Sequence, residues 1–490
     1  MMVHTYHEES KAKDRRPITM IECSIPTQRH FTACASLAAL GLHVRYLDVF
    51  GPIREMVSVE QKTVKHAPSD KLYDAFISLL AGAHGLVEIN TRLRSDPVLQ
   101  AAFGRAACAE QSLVQQTLDA CTATTVKQME QAMDAIYCRH SQGYRHDYRA
   151  GLQLLDVDMS GLPCGPKAAF ATKGYFAKQR NRRGRQLGRV LASHYDEIVV
   201  DRLFDGKTQL TRALQPLMQA TERTLKLDKA KRVRTIVRVD SGGGSLDDVN
   251  WLLSRGYQLH AKDYSGRQAR NLAKSVLVWF DDPHVPERQA GWVTEDPKTY
   301  VRPVRRIAVR CRKQDGQWAV GVLISTLTEA QVLSLTGQEA SQLADPQAVL
   351  WAYVTFYDQR GGGIETSLKG DKQGLGLTRR NKKRFEAQQM LMLLGTLAHN
   401  TIVWARHWLA APQLRHYGML RMVRDVFHIS GFLAVDAQRH IVQIGLNQAA
   451  PLAPILADSL RELLAPLHLA IHLNTGSLPS ESMVANLYKN

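Results

Sequence analysis

Gly151-Leu-Gln-Leu-Leu-Asp-Val-Asp-Met-Ser160 is a short apolar segment that begins at a glycine and closes on two acids, Asp156 and Asp158. An apolar run of this length, bounded by turn-forming residues, predicts a buried β-strand. A strand that ends in acids holds its carboxylates rigidly. The segment therefore predicts a sheet with acidic groups at one edge.

Further strands and helices are predicted after this first strand. The segment Thr235–Val239 is β-branched, which favours a strand, and it is followed by Asp240 and three glycines. The other predicted elements are strands at 168–172, 197–202 and 257–261, and helices at 208–227 and 246–253. This order predicts an α/β fold with a sheet of mixed strand directions.

Other regions flank this sheet and interrupt it. Short helices are predicted between residues 68 and 137, a hairpin around Lys313-Gln-Asp-Gly-Gln317, and a long buried helix over Phe385–Leu409. The first region lacks a sharp helix-turn-helix signature, so a helical packing module is an alternative to a DNA-binding domain. The predicted regions are a mostly helical DNA-binding region at 1–148, the core at 149–263, a β-rich insertion at 264–352, the second part of the core at 353–412, and a helix-hairpin-helix region at 413–490.

The composition predicts a globular protein with a polyanionic partner. The chain has 490 residues, 44% of them hydrophobic, which is enough for two to four domains. Its net charge of +17 and its pI of about 9.6 indicate the polyanionic partner. Each basic block alone could be a solvated face, but several blocks around the candidate acids favour a continuous phosphate track. The blocks lie at 173–189, 226–238, 302–313 and 379–384.

Several classes of protein are disfavoured by the sequence. The seven cysteines are odd in number and form no C-x-x-C pair, which is typical of a reducing cytosol and disfavours a zinc site. The polar N-terminus lacks a signal peptide, and the apolar run Met390–Trp404 is short for a bilayer. We therefore expect a cytoplasmic protein without a membrane partner.

Three distant acids are candidates for a metal site. Asp158 and Asp240 each follow a predicted strand, and Glu365 lies on a predicted helix that could pack beside them. Mg²⁺ takes oxygen ligands, and two such ions about 4 Å apart serve phosphodiester chemistry. This arrangement would be an RNase H-like site.

Alternatives exist for each acid. Asp156 shares the face of Asp158, but Asp158 is preferred because the strand is predicted to end there and Ser160 follows. Asp158 could instead be a turn or capping residue. Asp240 could open the glycine turn through an Asx-type hydrogen bond, and Glu365 could form an exposed pair with Lys369.

The segment Tyr357–Lys372 places cations near the third acid. Glu365 and Lys372 are seven residues apart, so on a helix they point to the same side, with Lys369 between them. Lys372, together with Arg360 and Tyr357, could hold the phosphates that flank a metal ion.

These motifs resemble the DDE transposases of bacterial insertion sequences, in the branch with a tyrosine-arginine-glutamate-lysine signature. The resemblance implies an RNase H-like core, a β-rich insertion, an N-terminal DNA-binding region and a homodimer on DNA. It implies that Asp158, Asp240 and Glu365 bind two Mg²⁺ ions, with Mn²⁺ as a substitute, and that Tyr357, Arg360 and Lys372 grip DNA. One departure is that four residues, 361–364, separate the arginine from the glutamate where the family usually has three. Three of them are glycines, which permit a bulge that absorbs the extra residue.

The predicted function is Mg²⁺-dependent DNA cleavage at element ends, followed by strand transfer into target DNA. Lys369, Arg182 and Arg183 are expected to add DNA contacts, with the terminal inverted repeats and the target DNA as partners. A nucleoid-associated protein of the bacterial cytoplasm is expected. The alternatives are a catalytically inactive, transposase-derived DNA-binding protein and a metal-dependent nuclease without strand transfer.

Overall fold

A computed structural model describes residues 28–62, 65–174, 176, 179, 181–263, 265–295, 299–438 and 440–474. The outer ends of the first and last predicted regions, and the block residues Lys178 and Arg180, lie outside the described residues. The strands are β1 Gln28–Thr32, β2 Gln153–Pro163, β3 Thr172–Lys173, β4 Arg183–Ala192, β5 Glu197–Asp205, β6 Thr235–Val239, β7 Gln258–Lys262, β8 Phe280–Asp281, β9 Arg288–Trp292, β10 Arg305–Arg312, β11 Trp318–Ser325, β12 Gly431–Val435, β13 Ile441–Asn447 and β14 Ala470–Asn474.

The α-helices follow one another near the N-terminal end of the described chain and are interspersed with strands after β2. They are α1 Ala35–Tyr46, α2 Gly51–Met56, α3 Pro68–Leu80, α4 Ile89–Arg92, α5 Pro97–Ala102, α6 Gln111–Ala120, α7 Ala123–His140, α8 Leu210–Leu225, α9 Lys229–Val233, α10 Leu246–Ser254, α11 Gly266–Leu272, α12 Glu329–Leu335, α13 Pro346–Arg360, α14 Thr366–Gly374, α15 Phe385–Trp408, α16 Met419–Arg421 and α17 Ala453–Leu464.

The central sheet has the strand order β5-β4-β2-β6-β7. β4 is antiparallel to both β2 and β5, whereas β6 and β7 are parallel to β2. Helices α8 and α10 connect β5 to β6 and β6 to β7 as crossovers. An antiparallel meander followed by two parallel strands on the other side of the first strand is the order of an RNase H-like sheet, so the predicted fold class is confirmed.

The insertion lengthens this sheet beyond β7. The predicted hairpin is present as β10 and β11, β11 pairs antiparallel with β7, and β9 and β8 continue outward. The region also contains the helices α11 and α12, so it is less purely β than the sequence suggested.

Near the first basic block, one strand prediction was wrong and one strand was missed. The strand expected at 168–172 forms only as the two-residue β3, and the ten-residue strand β4, which was not predicted, overlaps the block. In Arg183-Gly-Arg-Gln-Leu-Gly-Arg-Val-Leu-Ala192 the arginines and glycines hide the strand pattern. The arginines at positions 185 and 189 are 0% and 1% exposed, so they face the interior.

Helix α15 joins the sheet to the terminal regions. It lies against β5 on one side and against α3, α6 and α7 on the other. The N-terminal helices share one hydrophobic core with α15, the hairpin β12–β13 and α17. No described helix is both long enough and apolar enough to cross a bilayer.

Candidate active site

The first two acids lie side by side where two parallel strands separate. β2 and β6 pair in register up to Val157 opposite Val239, so Asp158 and Asp240 are the residues that directly follow this last pair. β2 does not end at Asp158, because it continues along β4 to Pro163. The prediction that the strand ends at Asp158 was therefore wrong, but Asp158 does follow the last residue paired with β6.

Asp156 is an interior acid. It is fully buried, its two oxygens accept from Arg238 Nε at 2.6 Å and Arg238 Nη2 at 2.8 Å, and Ser193 Oγ donates to it at 2.5 Å. Arg238 is a residue that the sequence analysis had placed in a basic block. Since these partners occupy Asp156, Asp158 is the acid that can face a substrate.

The third acid is carried by a helix with a local π turn. Helix α13 ends at Arg360, the π-helical segment Gly361–Glu365 follows, and α14 continues from Thr366. A π turn accommodates one extra residue in a helix. The distortion expected from the glycines is thus present as a π turn, and it places Glu365 next to Arg360.

Gly363 is the glycine that this geometry requires. A Cβ at this position would lie 2.7 Å from Asp156 Oδ2 and 3.3 Å from Ser193 Oγ. At Gly362, by contrast, a Cβ would have no neighbour within 4 Å. Of the three glycines in the π turn, Gly363 is therefore the one that rests directly against the interior acid.

Arg360 lies between two of the candidate acids. Its Nη2 is 3.0 Å from Asp158 Oδ2 and its Nη1 is 3.1 Å from Glu365 Oε1. Nη2 also donates to the Val157 carbonyl oxygen at 3.1 Å. Burial lowers the pKa of Arg360, but Asp158, Asp240 and Asp156 raise it and prevail. Asp158 and Glu365 thus contact the guanidinium directly, whereas Asp240 and Asp156 act on it through their charge.

The electrostatics link Asp240 to the same group. Burial raises the pKa of Asp158, Arg360 opposes this and the charge of Asp240 adds to it. Asp240 Oδ1 accepts from the Gly242 N–H at 2.9 Å, so the predicted Asx-type bond exists. That bond engages one carboxylate oxygen of two, which is compatible with a second role for Asp240.

Tyr357 and Lys372 border the acids. Tyr357 is half-buried; burial raises its pKa to about 12, and Asp240, Glu365 and Asp158 act in the same direction. Lys372 is exposed on α14, and local desolvation lowers its pKa while the nearby Asp158 opposes the shift. Both residues therefore lie within the field of the candidate site.

Lys369 is one turn beyond Glu365 on α14, and its side chain is exposed. Glu365 pairs with Arg360 instead of forming the pair with Lys369 that was considered as an alternative. Lys369 is thus available on the same surface as Lys372.

A buried charge network that the sequence analysis missed supports helix α14. Arg189 lies opposite Asp158 in the sheet, and its guanidinium contacts Asp201 and Asp371, each at 2.7 Å. Asp371 also accepts from His399 Nδ1 at 2.7 Å, and Ser367 on α14 accepts from Arg189 at 3.0 Å. This network connects the strand next to Asp158 to the helix that follows Glu365.

The basic blocks divide into buried and exposed arginines. Arg182 and Arg183 are exposed at the start of β4, which pairs with the end of β2 at Pro163. Pro163 is five residues after Asp158, so this end of the strand lies about 17 Å from Asp158. Arg185 donates to the carbonyl oxygens of Lys382 and Lys383, so the first and fourth blocks adjoin. The buried members, which do not form part of the exposed cationic surface, are Arg185, Arg189, Arg238, Arg306 and Arg380.

The donor chemistry of the acids suits a hard divalent cation, because all their candidate ligand atoms are carboxylate oxygens. Their arrangement is different: across the described residues, no group of three or more His, Cys, Asp and Glu side chains is placed to hold a metal ion. Two of the acids face Arg360 instead.

No protein-family model matches the chain, and no curated protein matches it. Among solved structures, the chain is similar to the piggyBac transposase in a cryo-EM structure of its synaptic complex with hairpin DNA, with a TM-score of 0.40 and 12% identity over 94% of this chain and 87% of that chain. A similarity this weak supports no conclusion about the activity of this chain.

Proposed function

We propose that the chain is a DDE-type DNA transposase that cuts DNA at element ends and joins the ends to target DNA. One observation carries the proposal: Asp158 and Glu365, distant in sequence, pair with one guanidinium, and Asp240 follows the strand residue paired with Val157, at the end of the parallel strands of an RNase H-like sheet. Ligands and catalytic groups in open α/β sheets are typically found at such carboxyl ends.

The chemistry proposed is in-line phosphoryl transfer, which needs no protein nucleophile. Asp158, Asp240 and Glu365 would hold Mg²⁺, or Mn²⁺ in its place, and the bound ion would supply Lewis-acid chemistry for the transfer of the scissile phosphate. Lys372 and Tyr357 would bind the phosphate from the solvent side, and Lys369 would bind the next one. Arg360 would contribute a guanidinium, the group best suited to two-point phosphate binding.

Exposed cations extend this surface away from the acids. Arg379, Lys383 and Arg384 follow α14, and Arg182 and Arg183 adjoin them at the start of β4. These residues would hold the DNA flank beyond the cleaved bond. The element type, a bacterial insertion sequence, and a homodimer on DNA are further parts of the proposal, and they rest on the signature residues Tyr357, Arg360, Glu365 and Lys372.

The second candidate is a transposase-derived DNA-binding protein without turnover. The pairing of Arg360 with two acids favours it, because a guanidinium in this position neutralises groups that should bind metal. A nuclease without strand transfer differs only in its products.

The test uses linear DNA that carries the inverted repeats flanking the coding region. The protein is incubated with this DNA and a target plasmid in Mg²⁺ or in EDTA. Cleavage at the repeats and joined products, both only with Mg²⁺, are expected. Specific binding without cleavage would favour the second candidate, and cleavage without joining would favour the nuclease.

A further inference from the structure

Arg360 occupies the place where the acids would hold a cation. We propose that Arg360 blocks divalent metal binding in the DNA-free chain, and that a DNA phosphate must draw its guanidinium away before Asp158 and Glu365 can take a metal ion. The inference rests on the proposed function, since it concerns the regulation of the same site. It makes metal binding dependent on DNA.

The first support is the geometry of the ion pairs. Two nitrogens of one guanidinium contact oxygens of two different acids, at 3.0 Å and 3.1 Å. The acid oxygens therefore face one small volume, and the guanidinium fills it. A divalent cation in the same volume would be repelled by the guanidinium at a distance of a few ångströms, where charge interactions are strong.

The second support is a donor without a partner. Arg360 Nε is buried and has no hydrogen-bond acceptor among the described residues. An unsatisfied buried donor costs free energy, so it favours any ligand that brings an acceptor. A phosphate oxygen is such an acceptor, and guanidinium groups bind phosphates through two parallel N–H donors.

The third support is the backbone next to Arg360. The π turn begins at the following residue, and Gly362 has open space around it. Glycine adapts to changes of backbone angle more readily than other residues. Glu365 is also 60% exposed on its side chain, so it can leave Arg360 without crossing the protein interior.

The experiment measures metal binding directly. Mn²⁺ is titrated into the full-length protein while free Mn²⁺ is followed by electron paramagnetic resonance, with and without a short DNA duplex carrying the element end. For the unchanged protein we expect weak binding alone and binding at least about tenfold tighter with DNA, since relief of a close charge repulsion exceeds a tenfold effect. For Arg360→Gln we expect tight binding without DNA and little further gain with it.

Lys229→Gln is the matched control, because it removes the same charge from an exposed position on α9, which precedes β6 and lies at the end of the sheet opposite the acids. It should bind Mn²⁺ like the unchanged protein. Asp158→Asn should weaken binding under every condition. Thermal unfolding checks that each variant is folded. If Arg360→Gln unfolds, Arg360→Met replaces it, because methionine also removes the charge and keeps an apolar stem in the buried position; this variant should likewise bind Mn²⁺ more tightly than the unchanged protein.

Equal or weaker Mn²⁺ binding by a folded Arg360 variant, relative to the unchanged protein, overturns the inference. If Asp158→Asn still abolishes Mg²⁺-dependent cleavage in that case, the proposed function stands alone. If no protein binds Mn²⁺, even with DNA, and DNA is not cut, both the inference and the proposed catalysis fail.

Discussion

At the scale of single residues, two neighbouring aspartates have opposite environments. Asp156 is enclosed by Arg238 and Ser193, whereas Asp158 is partly accessible and faces Arg360. The two-residue period of a strand places both on one face, so sequence alone left Asp156 open as the first acid. The choice between them depends on the residues across the sheet, which only the folded chain specifies.

Replacement of these two acids should have separate consequences. Asp156→Asn leaves the buried Arg238 without its charged partner, so we expect a loss of about 3 to 5 kcal/mol in the free energy of unfolding. Asp158→Asn should change this free energy by about 1 kcal/mol or less, because burial raises the pKa of Asp158 and so disfavours its charged form, and because its partner Arg360 retains Glu365. Urea unfolding of both variants measures the difference. Equal losses would mean that Asp158 is as structural as Asp156.

Asp240→Asn should abolish cleavage and leave DNA binding nearly unchanged. An amide is a poor ligand for Mg²⁺, but it can still accept the Gly242 N–H bond that caps the turn. Cleavage is measured on the repeat DNA and binding by fluorescence anisotropy. If binding falls as much as cleavage, Asp240 has a structural role only.

At the scale of elements, apolar patterns predicted the core well and charged patterns misled. β6 was predicted with its observed bounds, and α15 ends one residue before its predicted end. β4 was missed because Arg185 and Arg189 look like a solvated basic block, although their charges are satisfied by carbonyl groups and buried acids. The glycines predicted a bulge before Glu365, but neither its π-helical form nor the pairing of Arg360 follows from spacing.

The π turn allows a paired test with two glycines. Gly363→Ala should lower the free energy of unfolding by about 1 to 3 kcal/mol and reduce cleavage, because its methyl group would press on Asp156. Gly362→Ala should be neutral or stabilising by about 0.5 to 1 kcal/mol, since alanine favours helix and meets no neighbour. Urea unfolding and cleavage assays are run on both. Similar behaviour of the two variants would show that the π turn does not rest on Asp156.

At the scale of the whole molecule, buried histidines should make the fold sensitive to acid. His260 is fully buried beside the rings of Tyr353 and Phe356, and burial, with Arg238, lowers its pKa to about 3. In the unfolded chain the pKa of histidine is about 6.5, so the unfolded state binds more protons below that pH. The contribution of neutral His260 to the free energy of unfolding is therefore fully present above about pH 6.5 and is lost progressively as the pH falls toward 3.

This pH dependence can be assigned to His260 with one variant. Between pH 7 and pH 5, protonation of His260 in the unfolded chain should lower the free energy of unfolding by about 2 kcal/mol. This follows because pH 5 lies about one and a half units below the pKa of an unfolded histidine. His260→Phe keeps a ring in the same cluster and should reduce the loss over this range by about that amount. Urea unfolding at both pH values measures it. An unchanged loss would show that His260 is not buried as a neutral ring.

DNA binding should depend on the face of the molecule from which charge is removed. Lys372→Ala should weaken binding of the repeat DNA and make the slope of log K against log[salt] shallower by about one, because each neutralised phosphate contributes about 0.9. The double replacement of Arg182 and Arg183 by glutamine should make it shallower by about two. Lys229→Gln is the control, since α9 precedes β6 and lies at the end of the sheet opposite the acids. It should leave the slope unchanged; if it lowers the slope as much as Lys372→Ala, the DNA does not lie along the surface between Lys372 and the start of β4.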